Sequence, residues 1–221
     1  MNQGGTAMRR ALMLCLIVLF LPSAAMARDY PKAEIFGGFS IYSGSLAIGD
    51  YDDIASRLGT DNGNIPSGWN LDGNVLRRDD REQFYGFQTN IAGNFNEYIG
   101  VVADFGYQYS DLNGQKLGVY EYLFGPRFSR RGERATVFAH ALFGGNGFDS
   151  GGSGHLFDFN RRISLSENAL AMGFGGGVDV NAGDRFAIRI AQFDWIPNRM
   201  SGKWSTGEFR LGFGIVFKAG N

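Results

Sequence analysis

The 221-residue chain is long enough for one domain of ordinary size, and its 21 basic and 22 acidic residues leave too little net charge to favour nucleic acid as a partner. It contains 34 Gly, 20 Phe and 9 Tyr but only 5 Pro and 1 Cys. This composition favours crowded strands that pack aromatic rings and argues against a helical protein.

The first 27 residues have the pattern of a secretory signal peptide. Arg9 and Arg10 precede an apolar run over residues 11–21, and Ala25-Met26-Ala27 fits the small-residue rule for cleavage. The run is too short for a comfortable membrane helix. The only cysteine lies inside it, so we expect no disulfide in the mature chain. The predicted organisation is a cleaved signal peptide over residues 1–27 and one barrel domain over residues 28–221.

Seven later segments alternate between two kinds of residue with period two, which is the pattern of a strand with two different faces. They cover residues 33–42, 84–95, 99–109, 117–129, 135–143, 170–180 and 208–218. An eighth segment, residues 186–196, loses its phase after Arg189. A β-bulge near Ala191 would return Gln192 and Asp194 to the face of Arg189.

The polar faces of these strands are rich in glycine, which a solvated face does not need. The interior of an eight-stranded barrel does need it, because that interior is only about as wide as the side chains that fill it. The aromatic faces would then meet lipid, with Tyr and Trp at the water boundaries. The sequence therefore predicts an all-β fold, an eight-stranded antiparallel up-and-down transmembrane β-barrel with a packed polar interior. The glycines concerned are Gly38, Gly86, Gly100, Gly106, Gly118, Gly125, Gly173, Gly175, Gly177, Gly212 and Gly214.

The connections alternate in length, as expected of an outer-membrane barrel with short periplasmic turns and longer outer loops. The short turns are predicted at residues 95–98, 129–134 and 181–185. The longer or more polar loops are predicted at residues 43–83, 110–116, 146–168 and 197–204.

The last strand resembles the terminal-strand signal that the barrel-assembly machinery reads. It places a polar residue, then a glycine two positions later, and then apolar residues at the last-but-two and last positions. These residues are Arg210, Gly212, Ile215 and Phe217, and four more residues follow them.

The chain as a whole resembles the outer membrane protein A-like β-barrel superfamily, particularly its small single-barrel members. The resemblance covers residues 31–217 and is carried by the segments 31–40, 100–105, 124–129, 138–145 and 174–179. It implies a barrel in the outer membrane, in a group that includes anchors, adhesins and narrow pores. The first loop is unusually long, which makes it the expected place for a particular function.

The predicted inward faces collect ionisable residues. These could form a selectivity ring or gate, or a plug of paired charges that fills the lumen; we favour the plug, because unpaired buried charges cost several kcal/mol each. The predicted interior cluster comprises Glu34, Asp104, Glu121, Arg127, His140, Asp179, Arg189, Glu208 and Arg210, with Asp194 added by the proposed bulge.

Catalytic, metal and cofactor sites are not predicted. His140 has no serine or acid beside it along its own strand face, and His155 lies in a polar loop. The acidic first loop, with Asp50, Asp52 and Asp61, fits no EF-hand spacing. The glycine-rich stretch 173–177 lies inside a strand and opens no helix, so it does not form a dinucleotide loop.

The favoured interpretation is a non-enzymatic integral outer-membrane barrel with a structural, surface-interaction or narrow-pore role. We expect it to be a monomer that contacts outer-membrane lipid, lipopolysaccharide and the barrel-assembly machinery. Two alternatives remain open at this point. One is an outer-membrane enzyme that modifies lipid A, and the other is a soluble periplasmic lipocalin-like barrel that binds a small apolar ligand.

Overall fold

The computed structural model describes residues 30–50, 70–72, 75–112, 115–150, 166–200 and 203–220. The predicted signal peptide, most of the acidic first loop and His155 lie outside these residues. Eleven strands occur in the described part of the chain, eight long and three short. The long strands are β1 (Ala33–Asp50), β3 (Val75–Asn94), β4 (Ile99–Leu112), β5 (Gln115–Arg131), β6 (Ala135–Ser150), β7 (Ser166–Asn181), β8 (Phe186–Trp195) and β11 (Phe209–Ala219), and the short ones are β2 (Asn70–Asp72), β9 (Asn198–Met200) and β10 (Lys203–Ser205).

The eight long strands form one closed antiparallel barrel. Each strand pairs with the next along the chain, and the last strand, β11, pairs with β1 from Ala33↔Ala219 to Ser43↔Phe209. Because the barrel is closed, each long strand has a paired neighbour on both sides. In hydrocarbon this arrangement gives the backbone N–H and C=O groups their hydrogen-bond partners. The predicted fold class is confirmed. No helix in the described residues is long and apolar enough to span a membrane.

The predicted bulge in the eighth barrel strand is confirmed. Against β7, Val178 pairs with Ala191 while Asp179 pairs with Arg189, so β8 carries one extra residue at this point. Ile190 and Ala191 are both exposed, and the residues on either side, Arg189 and Gln192, both face inward. The bulge therefore places two polar side chains in the lumen that strict alternation would have separated.

The two ends of the barrel differ as predicted, but strands extend into each of the four predicted loops, 43–83, 110–116, 146–168 and 197–204. At one end, here called the turn end, strands are joined by residues 95–98, 132–134 and 182–185. At the other, the loop end, the predicted loop at residues 110–116 is mostly strand, because β4 and β5 stay paired as far as Leu112↔Gln115. The strands of the first hairpin likewise continue to Asp50↔Val75. Polar side chains in water-facing strand ends look like loop residues in the sequence, which is why the prediction stopped early.

The outer face of the barrel is an uncharged belt. At the outward positions of residues 33–43, 85–93, 99–109, 120–128, 135–145, 168–180, 186–195 and 209–219 there is no charged side chain. Phe87 is 73% exposed and Ile215 60% exposed, values unsuited to water. Tyr85, Tyr109 and Trp195 lie near the loop end of the belt, and Tyr98 at the turn end. The belt covers nine to thirteen residues per strand, and about nine to eleven are needed to cross a bilayer at a tilt.

Inward glycines let neighbouring strands and side chains approach closely. A Cβ on Gly86 would lie 2.0 Å from the Tyr107 carbonyl oxygen and 2.7 Å from the Gln108 Cα. On the outward face, a Cβ on Gly37 would meet nothing within 4 Å. The outward face is not free of crowding throughout, since a Cβ on Gly176 would lie 2.2 Å from the Phe138 carbonyl oxygen.

The pair Gly86→Ala and Gly37→Ala tests this crowding. We expect Gly86→Ala to lower the free energy of unfolding by about 1–3 kcal/mol, because backbone must shift to admit the methyl group. Gly37→Ala should stay within about 0.5 kcal/mol of the parent. Urea unfolding of the barrel in lipid vesicles measures both, and a larger loss for Gly37→Ala would contradict the assignment of faces.

Candidate functional site: the ion-paired lumen

The lumen of the barrel holds every ionisable residue predicted to lie there. All of these side chains are less than 8% exposed, and they come from seven of the eight long strands and from the residue that precedes β11. They fall into three groups rather than one. The residues are Glu34, Asp104, Glu121, Arg127, His140, Asp179, Arg189, Asp194, Glu208 and Arg210.

The lower cluster lies nearer the turn end and is built on Arg127 and Arg189. Arg127 Nη1 lies 2.9 Å from Glu34 Oε2, and Arg127 Nη2 lies 3.5 Å from Asp179 Oδ2. Arg189 donates to both oxygens of Asp179, at 2.7 and 3.0 Å. Arg131 adds a bond of 2.6 Å to Glu34. This cluster holds three guanidinium groups and two carboxylates.

Aromatic rings complete the surroundings of the lower cluster. The Phe138 ring lies 4.3 Å from the guanidinium carbon of both Arg127 and Arg189, and the Phe36 ring lies 4.2 Å from that of Arg189. Guanidinium groups stack well on aromatic faces and are more weakly hydrated than ammonium groups. The rings therefore stabilise the positive charges that the carboxylates do not neutralise.

The upper cluster lies nearer the loop end and is centred on Arg210. Its guanidinium group contacts three carboxylates, with Nη2 at 2.7 Å from Asp104 and 2.8 Å from Asp194, and Nη1 at 3.2 Å from Glu121. His140 Nε2 lies 2.8 Å from the other oxygen of Asp194. The upper cluster thus has three carboxylates around one arginine and one histidine.

Amide side chains join the two clusters into one network. Arg189 Nη1 donates to Asn90 Oδ1 at 2.9 Å, and Asn90 Nδ2 donates to Asp104 at 2.7 Å. A second path runs from Arg189 to Gln192 Oε1 at 2.6 Å and from Gln192 Nε2 to Asp194 at 2.8 Å. The second path depends on the β8 bulge, which turns Gln192 inward. Polar contacts therefore connect Glu34 to Glu121 through the centre of the barrel.

Glu208 belongs to neither cluster. It lies at the loop end, where its Oε1 accepts hydrogen bonds from Ser205 at 2.5 Å and Ser45 at 3.4 Å. The sequence prediction correctly placed Glu208 inside the barrel. It listed Glu208 with the residues of the two ion-paired clusters, whereas these hydrogen bonds join Glu208 to two serines.

The prediction of a polar interior missed two apolar layers. Towards the loop end, Tyr42, Phe84, Leu123, Leu142 and Ile196 belong to one buried cluster. Towards the turn end, Phe36 packs with Ala187 and Val216. Strict alternation places these residues inward, and that signal was available in the sequence, but the predicted interior cluster listed ionisable residues only.

His140 has the acidic neighbour that sequence spacing did not reveal, since Asp194 comes from a strand 54 residues further on. Its described contacts are Asp194 and the ring of Phe138, and neither supplies a nucleophile. In the described residues no group of three or more His, Cys, Asp or Glu side chains is arranged to hold a metal ion. Among the described residues, His140 thus takes part in an ion pair and a ring contact.

The four residues of the predicted assembly signal divide between the two faces of β11. Arg210 is buried in the lumen and Gly212 faces it, whereas Ile215 and Phe217 are exposed on the outer belt. The role of these residues as a signal stays a prediction.

A closed barrel of eight antiparallel strands, with an ionic lumen and an uncharged aromatic belt, has the fold of the small outer-membrane β-barrels. Neisserial surface protein A matches it with a TM-score of 0.56 and 8% identity, over 84% of this chain and 98% of that chain. OprG from Pseudomonas aeruginosa matches with a TM-score of 0.51 and 11% identity, over 88% and 98%. No protein-family model and no curated protein matches the sequence. The resemblance inferred from sequence is therefore confirmed for the fold.

Arg127→Ala tests the structural importance of the lower cluster. Its removal leaves Glu34 and Asp179 buried with fewer positive partners, so we expect a loss of about 3–5 kcal/mol in the free energy of unfolding. Arg134→Ala, at an exposed turn residue, should change it by less than about 0.5 kcal/mol. Urea titration followed by tryptophan fluorescence measures both variants, and equal stability of the two would refute an ion-paired plug.

Proposed function

We propose that this chain is an integral outer-membrane protein whose barrel is a closed, non-enzymatic anchor for surface-exposed hairpins. The observation that carries the proposal is the polar network that crosses the lumen from Glu34 to Glu121. Ions that pass through would have to separate pairs such as Arg210 with Asp104, which are fully buried. Breaking such pairs is costly, which favours a plug over an open pore.

The uncharged belt supports the membrane location. Exposed aromatic and aliphatic side chains encircle the barrel, and every long strand contributes to them. Such a surface in water would be a large apolar patch, which monomeric soluble proteins rarely expose. In hydrocarbon the same surface is favourable, and lipid and lipopolysaccharide are the partners that it fits.

The loop end supports a surface role. The first hairpin continues past the belt by seven residues on β1 and ten on β3. At about 3.3 Å per residue, these extensions are about 20–30 Å long. Ordered strand pairs of this length hold their tips well away from a bilayer. We infer that these hairpins, rather than the lumen, meet whatever the protein recognises.

Both alternatives that the sequence left open are disfavoured by the positions of particular residues. A lipid A-modifying enzyme needs its acid–base residues at the membrane rim, whereas His140 is buried in the lumen beside Asp194. A lipocalin needs an apolar cavity, whereas Arg127, Arg189 and Arg210 are among the largest buried side chains here.

Assembly of the barrel fits the same proposal. β11 closes the barrel against β1 and carries the predicted signal residues Arg210, Gly212, Ile215 and Phe217. We propose that the barrel-assembly machinery reads this strand and that the folded protein is a monomer, because closure leaves no edge of the eight-stranded barrel open to a second copy.

Single-channel recording in planar bilayers tests the closed lumen. We expect the refolded protein to give no discrete current steps, while a porin added to the same bilayer shows that channels would be detected. The double variant Arg189→Ser, Arg210→Ser shortens two side chains that cross the lumen and should introduce steps. Its folding is checked first by heat-dependent gel mobility. Discrete steps from the unaltered protein would contradict the proposal and favour a narrow pore.

A further inference from the structure

Four inward polar side chains line the lumen at the upper cluster, and one of them, Glu121, is a carboxylate of that cluster. They are Tyr42 on β1, Gln108 on β4, Glu121 on β5 and Asn146 on β6, and each is no more than 2% exposed. Together they are called the upper lumen pocket. They come from strands on several sides of the barrel, so they surround part of the lumen.

The pairing of the strands brings these residues together. Glu121 and Asn146 are direct partners across β5 and β6. Glu121 Oε2 and Gln108 Nε2 both lie within 3.0 Å of the position that a Cβ on Gly106 would take. Tyr42 is the strand partner of Arg210, whose Nη1 lies 3.2 Å from Glu121.

The pocket contains oxygen atoms whose hydrogen-bonding capacity is unused. Gln108 Oε1, Glu121 Oε1, the Tyr42 hydroxyl and both polar atoms of the Asn146 side chain, Oδ1 and Nδ2, have no hydrogen-bond partner among the described residues. The other polar atom of Gln108 donates to Ser40 at 2.8 Å, and the other oxygen of Glu121 accepts from Arg210. Leaving a buried polar atom unsatisfied costs about 1–3 kcal/mol, so several in one place indicate a ligand that supplies positive charge or donors.

The charges of the two clusters show which kind of ligand fits. The upper cluster sets Asp104, Glu121 and Asp194 against Arg210 and His140, so it is negative whether or not the imidazole is protonated. The lower cluster sets two carboxylates against three arginines and is positive. Its side-chain atoms without a hydrogen bond include two donors, Arg127 Nε and Arg127 Nη2, of which Nη2 lies 3.5 Å from Asp179 Oδ2. Unused acceptors and excess negative charge thus coincide in the upper half only.

We propose that the upper lumen pocket binds a hard, oxygen-preferring cation, with Ca²⁺ the best match. Glu121 supplies a carboxylate oxygen, Gln108 and Asn146 supply amide oxygens, and the Tyr42 hydroxyl supplies a fourth. Carboxylate and carbonyl oxygens are the ligands that Ca²⁺ prefers in proteins. Because only one carboxylate contributes, the affinity should be that of weak sites, with a dissociation constant of about 0.1–1 mM.

Calorimetric titration with Ca²⁺ tests the pocket. The protein is refolded without lipopolysaccharide into a non-ionic detergent and freed of divalent cations with a chelator. We expect one site per chain, and we expect Glu121→Gln to weaken binding by about tenfold or more. Glu34→Gln is the matched control, since Glu34 pairs with Arg127 and Arg131 in the lower cluster, and it should bind as the parent does.

Asn146→Asp gives the opposite test and does not depend on the folding of Glu121→Gln. A second carboxylate in the pocket should tighten Ca²⁺ binding by about tenfold, whereas added negative charge without a cation site would only destabilise the barrel. Heat-dependent gel mobility establishes that each variant is folded. The proposal is overturned if the folded parent takes up no Ca²⁺ at about 10 mM. It is equally overturned if Asn146→Asp binds Ca²⁺ with the affinity of the parent protein. That result would mean that the ion binds outside the lumen, on the acidic loops.

Discussion

Arg210 lies where three carboxylates meet inside a barrel only eight strands wide, and this contact organises much of the lumen. A buried guanidinium group without partners would be prohibitively unstable, and so would three carboxylates without it. Arg210 on β11 forms ion pairs with carboxylates from three other strands, Asp104 on β4, Glu121 on β5 and Asp194 on β8. These ion pairs connect strands on different sides of the barrel. The arginine thereby fixes the interior arrangement, and in the proposed function it also closes the passage.

The size of the lumen follows from the same constraint. Charged side chains can reach one another only if the strands are close, and the inward glycines permit this at Gly86 and Gly106. At Gly106 the space that a side chain would fill is occupied by Glu121 and Arg210 themselves. The glycine-rich composition and the ionic network therefore depend on each other. Glycines on some strands leave the space that large charged side chains from other strands occupy.

The sequence predicts the strands and the faces well but the contacts poorly. Period-two alternation is a local property, and it located all eight barrel strands and the bulge at Ile190 and Ala191. The pairing of His140 with Asp194 depends on closure of the barrel, which no local pattern encodes. The apolar layers around Tyr42 and Phe36 were missed because lipid-facing and lumen-facing apolar residues look alike in composition. The extended first hairpin was missed because water-facing strand ends resemble loops.

Orientation of the two faces is the claim on which the membrane location, the plug and the cation pocket all depend. It can be measured on the unaltered protein in lipid bilayers with a photoactivated apolar reagent confined to the hydrocarbon, followed by mass mapping of the labelled residues. Phenylalanines occur on both faces and provide their own control. The account predicts labelling of Phe87, Phe105 and Phe213 and none of Phe36, Phe84 and Phe138. Labelling of the second set with sparing of the first would contradict it.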